Sequence, residues 1–154
     1  MTRFVSVMAV MIAGLWSCTG CATYNWEGDI QRAEQRAQAE KKPLFIFYKS
    51  WLDATSNRML NDVLQKPDVT ALFQRSVNCI LDDSYGPNKK YMAALGISRT
   101  PAVLIRNPDG PDSKREGYVP KDAFVQWAKS TLEKAQAPAP TAKTPPPVQP
   151  TPAP

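Results

Sequence analysis

The chain predicts an α/β sandwich, a sheet with helices on its faces. Three observations carry this. Short apolar-rich runs, "LFIFY", "VNCIL" and "PAVLI", have the length of strands, and the first, continuously apolar, suits a strand buried on both faces. Segments with helical apolar spacing stand between and around them. One tight turn, "NPDG", is succeeded by a further extended segment, which makes a hairpin near the end of the body. Parallel strands joined through helices, then a hairpin and a closing helix, form such a sandwich.

The first element, "GDIQRAEQRAQAEKK" from Gly28 to Lys42, is rich in helix formers, with Asp29 as N-cap and Ile30, Ala33 and Ala37 as a thin apolar stripe. Pro43 stops it, and "LFIFY" is the first strand. Asp53 or Thr55 caps the next helix, whose buried face is Met59, Leu60, Val63 and Leu64. "KPDVTALFQRS" makes a short helix with Asp68 near its start and Val69, Leu72 and Phe73 inward. "VNCILDD", Val77 to Asp83, is the second strand and carries Cys79, expected as a packed, inert thiol. "GPNKKYMAALGI" is a helix with Tyr91, Met92 and Leu95 on one side and Gly96 ending it. "PAVLI" is the third strand and "REGYV" a fourth, paired across the turn. A helix from Pro120 closes the body, with Phe124, Trp127 and Leu132 facing in.

Both ends differ from this body. Residues 1–17 combine Arg3 with an apolar run of roughly a dozen residues, too short to span ~30 Å of hydrocarbon, and read as a secretory signal. The junction after this run resembles a bacterial lipobox. "LWSC" makes Cys18 the lipidated residue, and "CTGC" makes Cys21 the alternative. Neither cysteine precedes Asp, which by resemblance to Gram-negative sorting patterns implies the outer membrane, facing the periplasm. Residues 18–27 are then a lipidated N-terminus and short linker, 28–136 the folded domain, and 137–154 a proline-rich tail. That tail holds eight of the fifteen prolines and no apolar period, so a disordered, semi-rigid polyproline-II segment is expected.

Composition excludes several functions. With no histidine, Ser-His-Asp and Cys-His catalysis and histidine metal sites are ruled out. The three cysteines are Cys18, Cys21 and Cys79, and the first two sit at the end of the apolar segment, without the folded setting that a zinc or redox C-x-x-C needs. A net charge of +5 comes from basic residues interleaved with acids, the pattern of a solvated surface, and no nucleic-acid partner is expected. No catalytic set, metal site or cofactor is expected either.

Two stretches narrow the fold. "KPLFIFYKSWLDATSNRM" is similar to the first core strand and active-site helix of thioredoxin-like proteins. "LGISRTPAVLIRNPDG" resembles the family's helix end, Thr-Pro, strand and turn. "KPDV" resembles secreted branches with an insertion at that point. The resemblance covers roughly residues 26–136 and implies a thioredoxin-like three-layer α/β/α sandwich with a mixed four- to five-stranded sheet. It also implies a cis bond between Thr100 and Pro101 and, beside it, a site that pairs with an extended peptide.

The family's reactive turn is degenerate here: Trp51, Leu52, Asp53, Ala54, Thr55, Ser56. Aligned on Trp51, Leu52 and Thr55 replace the two cysteines; aligned on Met59, Asp53 and Ser56 do. Either way the thiolate that disulfide exchange requires is missing. Asp53, Thr55 and Ser56 read as helix-capping groups. Trp51 is either exposed or core, and Tyr48, Trp51 and Leu52 are expected to form an apolar patch near Pro101. The expectation is a non-catalytic, membrane-anchored domain that binds an unidentified periplasmic or envelope protein as an assembly factor or complex subunit. Alternatives are a thiol-disulfide accessory enzyme, and a structural tether acting through its tail.

Overall fold

The computed structural model describes residues 25–136. The expected signal, both candidate lipid-bearing cysteines and the proline-rich tail lie outside the described residues. Five strands form one mixed sheet in the order β1-β3-β2-β4-β5, and five α-helices flank it. In chain order these are β1 (Trp26–Glu27), α1 (Ile30–Glu40), β2 (Leu44–Lys49), α2 (Ala54–Met59), α3 (Pro67–Phe73), β3 (Val77–Asp82), α4 (Gly86–Ala94), β4 (Ala102–Arg106), β5 (Ser113–Glu116) and α5 (Lys121–Gln136). Between α2 and α3 the helix continues as a π-helical turn, Leu60–Leu64.

Strands β1, β2 and β3 run parallel; β4 is antiparallel to β2, and β5 to β4. Alternation along β2 sorts the core into two clusters. Leu44, Ile46 and Tyr48 pack with Ala33, Ala37, Cys79, Leu81, Met92 and Leu104 on the α1 and α4 side. Phe45 and Phe47 pack with Met59, Val63, Phe73, Val103, Phe124 and Leu132 on the other. Every member of both clusters lies between Trp26 and Leu132, so this stretch supplies its own core.

Local chemistry explains most boundaries. The Asp29 side chain accepts from the N–H groups of Gln31 and Arg32 at 2.8 and 3.1 Å, which caps α1. Lys41 ends it in the left-handed region at φ 50°, a conformation glycine usually takes. Gly96 does the same after α4, at φ 69°.

Three features differ from the sequence expectation. β1 falls in the stretch expected as linker, because two residues are too few to show a period; its pairing with β3 makes it an edge strand. The last strand lies at Ser113–Glu116, not Arg115–Val119. Gly117, at φ 86°, turns the chain and donates its N–H to the Pro101 carbonyl at 2.7 Å, leaving Tyr118 and Val119 to pack against the Phe45 side. The π turn carries no sequence signal. Among the described residues no helix is long and apolar enough to cross a membrane.

Candidate functional site

β2 delivers the turn Ser50–Asp53 to one edge of the sheet. β3, parallel to it, delivers Asp83–Tyr85 to the same edge, since Lys49 pairs with Asp82. β4 starts there too: Tyr48 pairs with Ala102, so Pro101 lies level with Lys49. The Thr100–Pro101 bond is cis. Pro101 is buried and its carbonyl is taken by Gly117, whereas no hydrogen bond from the described residues engages the Thr100 backbone.

The turn itself is well tied. Asp53 caps α2, with Oδ1 accepting from Thr55 N–H at 3.0 Å and Oδ2 from Ser56 N–H at 2.9 Å. The Ser56 hydroxyl donates to Asp53 Oδ2 at 2.7 Å and accepts from Ser50 N–H at 3.2 Å. Chiefly the Ser56 hydroxyl, helped by the two N–H groups, holds the Asp53 carboxyl below the usual carboxylate range. Ser56 is buried, so its hydroxyl is committed to this cap and closed to solvent. The Asn57 side chain donates to the Trp51 carbonyl at 3.3 Å.

These ties leave large apolar groups in water. Trp51 is 62% exposed, Leu52 98% and Tyr85 60%; among the described residues they are the large hydrophobic side chains most open to solvent, and all stand at this edge. Trp51 is therefore exposed rather than core. Tyr48 is not part of the patch. Period-2 alternation points it into the α1–α4 side of the core, where it is buried, and burial followed by the charges of Asp83 and Asp82 raises its hydroxyl pKa. Tyr85 takes its place at the surface, a residue that sequence reasoning misses because nothing local marks it.

Lys49 is missed in the same way. It is fully buried at the end of an otherwise apolar strand, and that end position is its one sequence signal. Its ammonium lies 2.7 Å from the centroid of the Trp51 ring, a cation–π contact, and has no hydrogen-bond partner among the described residues. Across the strand pair, Asp82 Oδ1 accepts from the N–H of Ser84 at 2.8 Å and from its hydroxyl, while Oδ2 is buried without a partner. Burial lowers the Lys49 pKa and Asp82 pulls the other way. The folded-state value thus lies below the unfolded ~10.4, so the protonated amine is penalised at neutral pH and the penalty fades as pH rises from the folded value toward ~10.4. Lys49→Met is expected to raise the urea midpoint at pH 7, with the gain shrinking as alkaline pH is approached. A lower midpoint at pH 7 would show that the contact with Trp51 outweighs burial.

Cys79 sits mid-strand, opposite Ile46 and Glu27 and fully buried. It lies three positions before Asp82, roughly 10 Å along the strand. Burial, reinforced by Glu27, Asp29 and Glu34, pushes its thiol up to about 12. In a chain of residues 22–154, where Cys79 is the sole cysteine, a thiol-specific reagent is expected to react only after denaturant is added. Labelling of the native chain at pH 8 within minutes would contradict this placement.

No protein-family model matches the chain. No curated protein matches it either. Solved structures do. The chain is similar to a thioredoxin from Thermus thermophilus at TM-score 0.65 and 17% identity, covering 74% of this chain and 92% of that one. Against the oxidised C-terminal domain of DsbD from Neisseria meningitidis the values are 0.60 and 17%, covering 69% and 98%. A DsbH oxidoreductase gives 0.59 and 16%, covering 86% and 95%. At these identities the likeness establishes the fold alone, which is thioredoxin-like.

Proposed function

We propose that this protein is a redox-inactive, lipid-anchored thioredoxin-like protein of the bacterial envelope that holds an extended segment of another envelope protein. One observation carries the reading. The turn that bears reactive sulfur in the family offers exposed Trp51 and Leu52 here, with Tyr85, beside a cis-proline whose preceding residue has an unengaged backbone. A peptide laid along Thr100 would gain main-chain hydrogen bonds, as in strand addition, and bury apolar side chains against the three exposed groups. None of this needs a thiolate. Leu52, Asp53, Thr55 and Ser56, the positions that could have carried the cysteines, have no sulfur, and Asp53 and Ser56 are occupied with capping. The DsbD domain and the DsbH oxidoreductase share with this chain the fold alone. Placement at the outer membrane, facing the periplasm, rests on the lipobox-like "LWSC" and "CTGC".

Crosslinking in membranes followed by mass spectrometry, run on the whole chain and on a chain ending at Gln136, tests the reading. The same neighbour is expected with both. Loss of that neighbour on truncation would assign the contact to the proline-rich tail and overturn the groove.

A further inference from the structure

A second feature lies at the opposite edge of the sheet. A cleft of about 520 Å³ opens between the end of α1 and the end of β4, within the size range of small-ligand sites. Ala37 and Leu44 contribute an apolar floor. Its two walls differ in charge. On the α1 side stand Lys41, which makes no ion pair among the described residues, and Lys42, paired to Glu40 at 2.8 Å. On the β4 side stand the Asp109 carboxylate and Asn107, whose Oδ1 is buried without a partner while its amide donates to the Pro111 carbonyl. Arg106 and Glu34 also line the cleft but neutralise each other at 2.7 Å, with Asp112 and the Tyr91 hydroxyl completing that network.

Both ends of the described chain leave at this edge. Trp26 pairs with Asn78 near the start of β3. α5 begins just beyond Gly117, at the Pro101 edge, and runs back: Trp127 Nε1 donates to Ser113 Oγ, at the start of β5, at 3.0 Å. Cys21 lies four residues before Asn25 and Cys18 seven. At ~3.3–3.6 Å per residue the longer stretch spans at most ~25 Å.

We propose that this cleft binds the phosphoethanolamine headgroup of a membrane phospholipid, the phosphate on Lys41 and Lys42 and the ammonium on the Asp109 carboxylate. A cation wall facing an acceptor wall fits a zwitterion, and it disfavours a plain anion, which would meet the Asp109 carboxylate. A quaternary choline has no N–H to give the Asp109 carboxylate, so charge-assisted hydrogen bonds separate the two common zwitterionic headgroups. Occupied in a tethered chain, the cleft would turn the Trp51–Pro101 edge away from the bilayer. The membrane as the source of the headgroup rests on the anchored reading above; recognition of the soluble headgroup does not.

The experiment uses residues 22–154, which contain every member of the two core clusters among the described residues, and tracks backbone amide shifts during titration with O-phosphoethanolamine, O-phosphocholine and inorganic phosphate. Phosphoethanolamine is expected to move Lys41–Leu44 and Asn107–Gly110 at concentrations about tenfold below the other two. Lys41→Glu with Lys42→Glu, both at the surface, should abolish the response, and Asp109→Asn should narrow the preference over phosphocholine. Equal response to all three, or none at these residues, overturns the site. In flotation, vesicles containing phosphatidylethanolamine should retain the chain and phosphatidylcholine vesicles should not; binding of the free headgroup without vesicle retention overturns the membrane source. Leu52→Asp, at the far edge, should leave every arm unchanged, so failure here and failure of the peptide site are told apart.

Discussion

Phe45→Ala is expected to lower unfolding stability by about 3–5 kcal/mol, a substantial share of the ~5–15 kcal/mol typical of a domain. Phe45 is 1% exposed on the central strand β2. Its ring centroid lies 4.7 Å from that of Phe73, 5.9 Å from Trp26 and 6.1 Å from Phe124. It therefore joins β1, α3 and α5 across one face of the sheet. Truncation removes the ring's burial and leaves a cavity walled by rigid aromatics that collapse poorly into it. Urea unfolding should show the midpoint fall with little change in slope. Phe45→Leu, which keeps most of the volume, should cost well under half as much. A loss for Phe45→Ala as small as that of a surface substitution would mean the aromatic cluster does not hold these layers together.

The second large effect concerns the exposed turn. Leu52→Asp is expected to weaken capture of the crosslinked neighbour by about thirtyfold or more, the scale of losing an apolar hot spot of ~2 kcal/mol. Leu52 is 98% exposed and touches no core cluster, so stability should change little. That separation gives the test its force, because lost binding in a fully stable chain points to the surface and not to the fold. Trp51→Ala is less clean, since it also strips the cover from the Lys49 ammonium. Neighbour capture unchanged by Leu52→Asp would remove the turn from the interface.

Much of the fold is legible from local pattern. Helices begin after Asp29 and Asp53, each of which caps the N–H groups two and three residues on. The three apolar runs are β2, β3 and β4, because a strand covered on both faces leaves no polar alternation to obscure it. The absence of sulfur at the turn is a matter of residue identity alone, and it limits the chemistry whatever the packing.

Other features depend on residues far apart in the chain. Two-residue β1 exists because β3 offers it an edge, and the last strand ends where Gly117 reaches Pro101. Tyr48 and Trp51 are near neighbours of similar character, yet one is buried and one exposed: the strand's alternation governs the first, and the turn beyond β2 releases the second. Lys49 and Asp82 meet through strand register, which no local window contains. Tyr85 joins Trp51 and Leu52 for the same reason. Residue chemistry is enough to say what this turn lacks and where its helices begin. Pairing across the sheet then settles which side chains share an edge, because spatial neighbours there are set by long-range hydrogen bonds rather than by position along the chain.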